Sequence, residues 1–150
     1  MIDFSVQTKA LTALLQAAAT LSTCNIERSN RINYDPGRCP WIGVYPGNLE
    51  TAPKTLSNST ATWASTGEMQ VVIQTMTYEE NGAAASDELE TLIDTVLAVV
   101  SANLTLGVTG TRVTRVSREY RYVVMDDDES GSLFFPQVVL KLFLDIRSAG

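Results

Sequence analysis

The hydrophobic positions of this chain follow two different spacings, which separate predicted helices from predicted strands. Apolar residues recur three and four positions apart between Thr8 and Ser22, which predicts an amphipathic helix. The same spacing recurs after Ser86, a favourable helix N-cap, and predicts a second helix that ends near Asn103. Opposite its apolar side the first helix carries Ala, Thr and Gln rather than many charges. We therefore expect a second covering element there, such as a neighbouring subunit.

Four segments alternate apolar and polar residues or are rich in β-branched and aromatic residues, and these are predicted strands. They are Trp41–Tyr45, Glu68–Tyr78, Thr111–Met125 and Phe134–Arg147. The alternation in the third strand changes phase between Val113 and Val116, as a β-bulge would produce.

The order of these elements predicts the fold class. A Gly-containing acidic loop joins the last two strands, so we expect them to form an antiparallel hairpin. Helix, strand, strand, helix, strand, strand predicts an α+β fold, with two helices packed on one face of an antiparallel sheet and a long C-terminal hairpin. The length of 150 residues fits a single domain over residues 1–150.

Between the first two predicted strands, Asn48–Gly67 is rich in Thr, Ser, Ala and Asn and is predicted to be a long loop. Trp63 lies inside this segment. A tryptophan in such a loop anchors it either to the core of its own domain or to a binding partner, since Trp is frequent at binding hot spots. Both interpretations stay open, and Trp63 is a candidate interface residue.

Four arginines recur every three residues along the third predicted strand: Arg112, Arg115, Arg118 and Arg121. On a regular strand this spacing sends successive side chains to opposite faces, so we do not expect one basic stripe. Planar guanidinium groups suit bidentate ion pairs. We therefore predict that these arginines pair with Asp and Glu of a neighbouring strand or subunit rather than with phosphate.

The acidic loop of the hairpin resembles the first half of a calcium-binding loop. Asp126, Asp128, Ser130 and Gly131 fit that pattern, but the twelfth position is Gln137, where a bidentate Glu is needed. No predicted helix flanks the loop. A solvated hairpin tip is thus favoured over a calcium site, and Asp126 and Asp128 join the candidate interface residues.

Composition narrows the function further. The chain has no histidine, which excludes Ser-His-Asp and Cys-His catalysis and histidine-ligated zinc. The formal net charge of −6 disfavours non-specific binding to nucleic acid. Cys24 and Cys39 form no C-x-x-C motif and are predicted to be reduced thiols. Phosphate-binding glycine loops are absent, and no stretch is long and apolar enough to cross a membrane.

We therefore predict a protein that is not an enzyme, with no catalytic residue, no cofactor and no bound metal. Carboxylates are plentiful, so a carboxylate-dependent enzyme stays open as an alternative. A small-ligand or calcium-binding module is another.

Taken together, the chain resembles the tail terminator (tail completion) proteins of long-tailed bacteriophages. The resemblance spans nearly all 150 residues and lies in the order of elements. The matching features are the short N-terminal helix, the segment Cys39–Pro46, the strand Glu68–Gln74, the helix Asp87–Asn103, the turn Leu106-Gly107-Val108 and the closing hairpin. The arginines and the acidic loop match no feature of that family.

The resemblance implies a structural protein in the neck region of the virion tail, made in the host cytoplasm. It implies a homo-oligomeric ring, expected to be a hexamer, that caps the head-proximal end of the tail tube and ends tube polymerisation. The implied partners are other copies of the chain, the tail tube protein and the head–tail connector or stopper protein, with no membrane. Genomic DNA would pass through an acidic lumen without specific binding. Another phage neck or connector subunit is the nearest alternative.

Overall fold

The computed structural model describes residues 5–29, 36–53, 62–78, 82–127 and 131–149. Two helices and six strands follow in chain order, with short 3-10 turns at Ala19–Leu21 and Pro36–Arg38. They are α1 (Ser5–Ala17), β1 (Asn25–Glu27), β2 (Trp41–Pro53), β3 (Thr62–Gln74), β4 (Thr77–Tyr78), α2 (Gly82–Ala102), β5 (Thr111–Asp127) and β6 (Gly131–Ala149). This confirms the predicted α+β class and the predicted order of the main elements.

The strands form one sheet in which β6 is central. Its order is β1-β2-β3-β6, with β5 on the other side of β6 and β4 paired with the start of β6. The pairs β2–β3, β3–β6, β4–β6 and β5–β6 are antiparallel, and the predicted C-terminal hairpin is confirmed as β5–β6. The expectation of a wholly antiparallel sheet was wrong, because β1 pairs with β2 in parallel.

Both helices pack on the same face of the sheet and bury one apolar core. α1 contacts β1 and β2, whereas α2 contacts β3, β4 and β6. The helices contribute buried residues such as Leu11, Leu15 and Ile93 to the same cluster as Leu140 and Leu142 of β6. Full burial of each such side chain stabilises the fold by roughly 1.5–3 kcal/mol. We call this the helix-covered face, and the opposite side the outer face.

The outer face carries a small second cluster. Trp41, Val72 and Val139 are buried there, with Tyr45 packed against them. Gly43 allows this arrangement, because a Cβ at that position would lie 2.3 Å from the Trp41 ring and 2.6 Å from the Ser29 carbonyl oxygen. Trp41 therefore lies flat along its own strand and shields the middle of the sheet from solvent.

The prediction that Asn48–Gly67 is a long loop was wrong for both ends of the segment. β2 continues to Pro53 and β3 begins at Thr62, so most of the segment is paired strand. β3 has a partner on each side, β2 and β6, and their hydrogen bonds outweigh the weak strand preference of Ser, Ala and Asn. The part of the predicted loop that separates the two strands lies outside the described residues.

The helix boundaries also differ from the predicted ones. α1 runs from Ser5 to Ala17 rather than from Thr8 to Ser22, with Thr8 and Thr12 buried. Their hydroxyl groups donate to the carbonyls of Ser5 and Thr8, at 3.0 and 2.7 Å, so burial leaves neither hydroxyl unpaired.

The second helix begins earlier than expected. α2 starts at Gly82 rather than at Ser86, which lies within its first turns. Its end at Ala102 matches the prediction, and the Asn103 side chain donates to the Val99 carbonyl at 2.9 Å. No helix in the described part of the chain is long and apolar enough to cross a membrane.

Candidate assembly interface on strand β5

Strand β5 lies at the edge of the sheet, and near its start the Val113 amide donates to the Leu104 carbonyl at 2.7 Å. It pairs with β6 from Thr111↔Ile146 to Asp127↔Gly131, and no other described strand pairs with it. A long unpaired edge is a template for contact with another chain, which proteins usually shorten, charge or cover. Of these three protections, β5 has charge, since it carries the four arginines identified in the sequence.

A bulge near the start of β5 changes which arginines share a face. The register shifts between Val113 and Arg115, which confirms the predicted bulge. Arg112 lies opposite Asp145, Arg115 opposite Phe143 and Arg121 opposite Gln137, all positions of the outer face. Arg118 lies opposite the core residue Leu140 and so faces the helix side.

The expectation that these arginines cannot share one face was therefore wrong for three of them. The three-residue spacing alone would place Arg112 and Arg115 on opposite faces. The extra residue of the bulge brings them to the same face.

Within the chain, the arginines contact groups on their own hairpin. The guanidinium of Arg115 lies 4.1 Å from the centre of the Phe143 ring, a cation–π contact. Arg121 donates through Nε and Nη2 to Glu119 Oε1, at 3.2 Å each. Arg121 thus pairs with Glu119 of its own strand, and the predicted pairing with acidic residues of a neighbouring strand or subunit stays a prediction.

Arg118 has a different environment from the other three. Its Nη1 lies 3.5 Å from the Tyr120 hydroxyl oxygen, and Glu90 and Asp94 of α2 are near enough to act on it electrostatically. The Tyr120 contact is the largest of the causes that raise the pKa of the Arg118 guanidinium, and the two carboxylates add to it. The exposed cation thus lies beside an aromatic hydroxyl and within electrostatic reach of the acidic side of α2.

Large apolar side chains are exposed beside Arg118 on the same face of β5. Tyr120, Tyr122 and Val124 retain 53%, 70% and 46% of their surface. They lie opposite Val138, Pro136 and Phe134, so they are at core-facing positions, but no described helix covers them. We call Tyr120, Tyr122 and Val124 the aromatic strip. Contiguous exposed apolar surface of this kind marks interaction sites.

The exposure of the aromatic strip was not predicted from the sequence. These residues alternate as in a half-buried strand, so they indicated only that a strand forms there. The one available signal was the number of helices, since two helices leave part of a sheet this wide uncovered.

The remaining sequence-predicted residues are placed less completely. The backbone of Trp63 lies in β3 between Pro53 and Ser148, not in a loop. Its side chain lies outside the described part of the structure. The backbone of Asp126 pairs with Ser132 at the end of the hairpin, whereas Asp128 falls outside the described residues. The proposed roles of these three residues stay predictions.

The cavities are surface grooves rather than enclosed pockets for a small ligand. One groove, of about 680 Å³, lies between α1 and α2 and is lined mainly by Ala and Thr residues. A second groove of about 410 Å³ lies between α2 and β5. Among the described residues, no group of three or more His, Cys, Asp or Glu side chains is arranged to hold a metal ion. Cys24 and Cys39 form no disulfide, and Gln74 Nε2 donates to Cys39 Sγ at 3.5 Å.

Comparison with known proteins gives distant similarity to solved structures. No protein-family model matches the chain, and no curated protein does. Among solved structures, a chain from the virion of a native gene transfer agent (GTA) particle is similar at a TM-score of 0.39 and 14% sequence identity. The similarity covers 92% of this chain and 93% of that chain.

Proposed function

We propose that this protein is a non-catalytic virion component that assembles into a ring at the head-proximal end of a phage tail tube. Strand β5 carries the proposal. It is a 17-residue edge strand that presents arginines on one face and the aromatic strip on the other. A protein that works as a single copy has no use for such a surface, whereas an assembly subunit does.

The two ends of the sheet favour a ring over a simple dimer. A closed ring requires two different surfaces on each subunit, one for each neighbour. β5 ends the sheet on one side, and β1 and β2 with α1 end it on the other. These two ends differ in structure, because α1 packs on β1 and β2 whereas most of β5 carries no helix in the described structure. Contact between unlike ends of successive copies propagates in one direction and closes if the rotation per copy allows it.

The element order that resembles tail terminators supplies the finer part of the proposal. The ring is a hexamer that binds the last layer of tail tube protein on one side and the connector or stopper protein on the other. Six copies at −6 each make a strongly acidic assembly, which favours passage of DNA over its retention.

Two measurements test the proposed function. The native mass of the purified protein is measured by light scattering from micromolar to millimolar concentration, with and without calcium. The tail tube protein of the same phage is then polymerised in vitro with increasing amounts of this chain. We expect a closed oligomer in solution or on the tube, and tubes that become shorter as the chain is added.

Tubes of unchanged length, with no binding of this chain to their ends, would overturn the tail-terminator role. A change of mass that depends on calcium would instead favour a calcium-binding module.

A further inference from the structure

The helix layer leaves most of one strand of the sheet uncovered. At the start of β5, Gln7 of α1 donates a hydrogen bond to Thr111 at 3.1 Å, and Val113 is buried in the core. Otherwise α1 packs on β1 and β2 and α2 on β3, β4 and β6, so the residues of β5 from Ser117 to Tyr122 are exposed within the described structure. The groove between α2 and β5 is apolar at one end, where it is lined by Leu97, Leu104, Val113 and Val116. Leu104 keeps 38% of its surface exposed. We call this the α2–β5 groove. Arg118 and the aromatic strip follow along the same face of β5, beyond the residues that line the groove.

α1 carries a second face that nothing in the described chain covers. Val6, Lys9, Ala13 and Ala17 lie on it at helical spacing, and all four are exposed. Val6 retains 45% of its surface. Lys9 is the only charged residue of α1. We call these four residues the exposed side of α1. It is small, nearly apolar and singly positive, and the expected second covering element stays a prediction.

The charges of the two surfaces are complementary. Every described charged residue of α2 is acidic, and Glu90 and Asp94 are exposed on the side nearest Arg118. Neither carboxylate forms an ion pair within 4.0 Å among the described residues. Lys9 forms none among them either. A second cation beside Arg118 would give two positive groups facing two negative ones.

We propose that the exposed side of α1 in one copy docks into the α2–β5 groove of the next copy. The incoming α1 becomes the third helix over the sheet and covers the helix-covered face of β5. Val6 and Ala13 lie against the apolar end of the groove, with Lys9 opposite Glu90 and Asp94. The exposed side of α1 and the α2–β5 groove are two different surfaces of one subunit, so a contact between them is head-to-tail. This inference rests on the proposed ring and names its subunit interface.

Charge reversal on each side tests the contact, because a head-to-tail interface allows the two variants to complement each other. We expect Lys9→Glu alone and Asp94→Lys alone each to weaken self-association at least about tenfold, since like charges then meet. An equimolar mixture should recover association, because every contact in it can pair opposite charges. Sedimentation velocity at low salt gives the readout. Glu50→Lys reverses an exposed carboxylate away from the groove and should associate like wild type.

A photo-cross-link locates the contact even where association is weak. Ala13 is replaced by p-benzoylphenylalanine, and this variant is mixed with ¹⁵N-labelled wild-type chain before irradiation. We expect cross-links from position 13 to labelled peptides between residues 94 and 116. Cross-links confined to other segments, or none at millimolar concentration, would overturn the inference.

The two proposals fail separately. An oligomer that forms with cross-links elsewhere leaves the ring standing and removes this interface. Cross-links at the groove, with no effect on tube length, keep the interface and remove the tail-terminator role.

Discussion

The two strands of the C-terminal hairpin share one register but have opposite surroundings. β6 lies between β3 and β5 and is covered by α2, and its residues from Phe135 to Leu140 are all buried. β5 pairs along the other side of β6, yet its residues from Ser117 to Tyr122 are all exposed. Two positions that face each other across one ladder can therefore have unrelated roles. β6 maintains the fold, and β5 presents a surface.

The largest expected contrast is at the pair Arg118↔Leu140. Leu140 is fully buried, so Leu140→Ala leaves a cavity and should lower the free energy of unfolding by about 2–5 kcal/mol. Arg118→Ala removes an exposed side chain and should change stability by no more than about 0.5 kcal/mol.

Urea denaturation of both variants measures this contrast. Equal losses would mean that β5 is as much a part of the core as β6, and the division between the two strands would be wrong.

A second, smaller effect is expected at the turn that starts β5. Gly110 has a φ of +80°, and a Cβ there would lie 2.2 Å from the Arg147 carbonyl oxygen of β6. Its own carbonyl accepts a hydrogen bond from the Arg147 amide at 2.9 Å. Gly110→Ala should therefore cost about 1–3 kcal/mol of backbone strain, with displacement of the start of β5 in addition.

Gly107 supplies the matched control for Gly110. Its φ is +69°, but nothing lies within 4 Å of a Cβ at that position. Gly107→Ala should thus carry the strain of the positive φ without the clash, and its thermal midpoint should lie above that of Gly110→Ala. Equal midpoints would show that contact with β6 at Arg147 does not position β5.

The sequence predicted the main elements well because their signals are local. Alternating Val138, Leu140, Leu142 and Leu144 in β6 need only a partner on each side to become a central strand. The phase change after Val113 was readable for the same reason.

The predictions that failed concerned features that depend on residues distant in the sequence. Thr62–Gly67 becomes a strand because β2 and β6 pair with it. Arg112 shares a face with Arg115 and Arg121 because of the bulge in the ladder. The exposure of the aromatic strip depends on where α1 and α2 lie, which hydrophobic periodicity does not encode.

The opposite edge of the sheet, at β1, is intermediate in burial between β6 and β5. The smallest effect is expected there. Cys24 precedes β1 and is half-buried against the core. Burial raises the pKa of its thiol above the ordinary value of 9.0, nearby Glu88 raises it further, and a hydrogen bond with Thr23 lowers it. In the unfolded chain the thiol ionises first, so its contribution to stability is present below pH 9.0 and is lost as the pH rises through the folded pKa.

We expect Cys24 in a Cys39→Ser background to react with iodoacetamide more slowly when folded than in urea at pH 8.5, with a pH–rate midpoint above 9.0. Glu88→Gln should lower that midpoint, because it removes a negative charge that opposes the thiolate. Glu90→Gln is the matched control and should leave the midpoint unchanged, since Glu90 faces Arg118 at the other side of α2. A folded thiol that reacts as fast as the unfolded one would show that this edge is as open as β5.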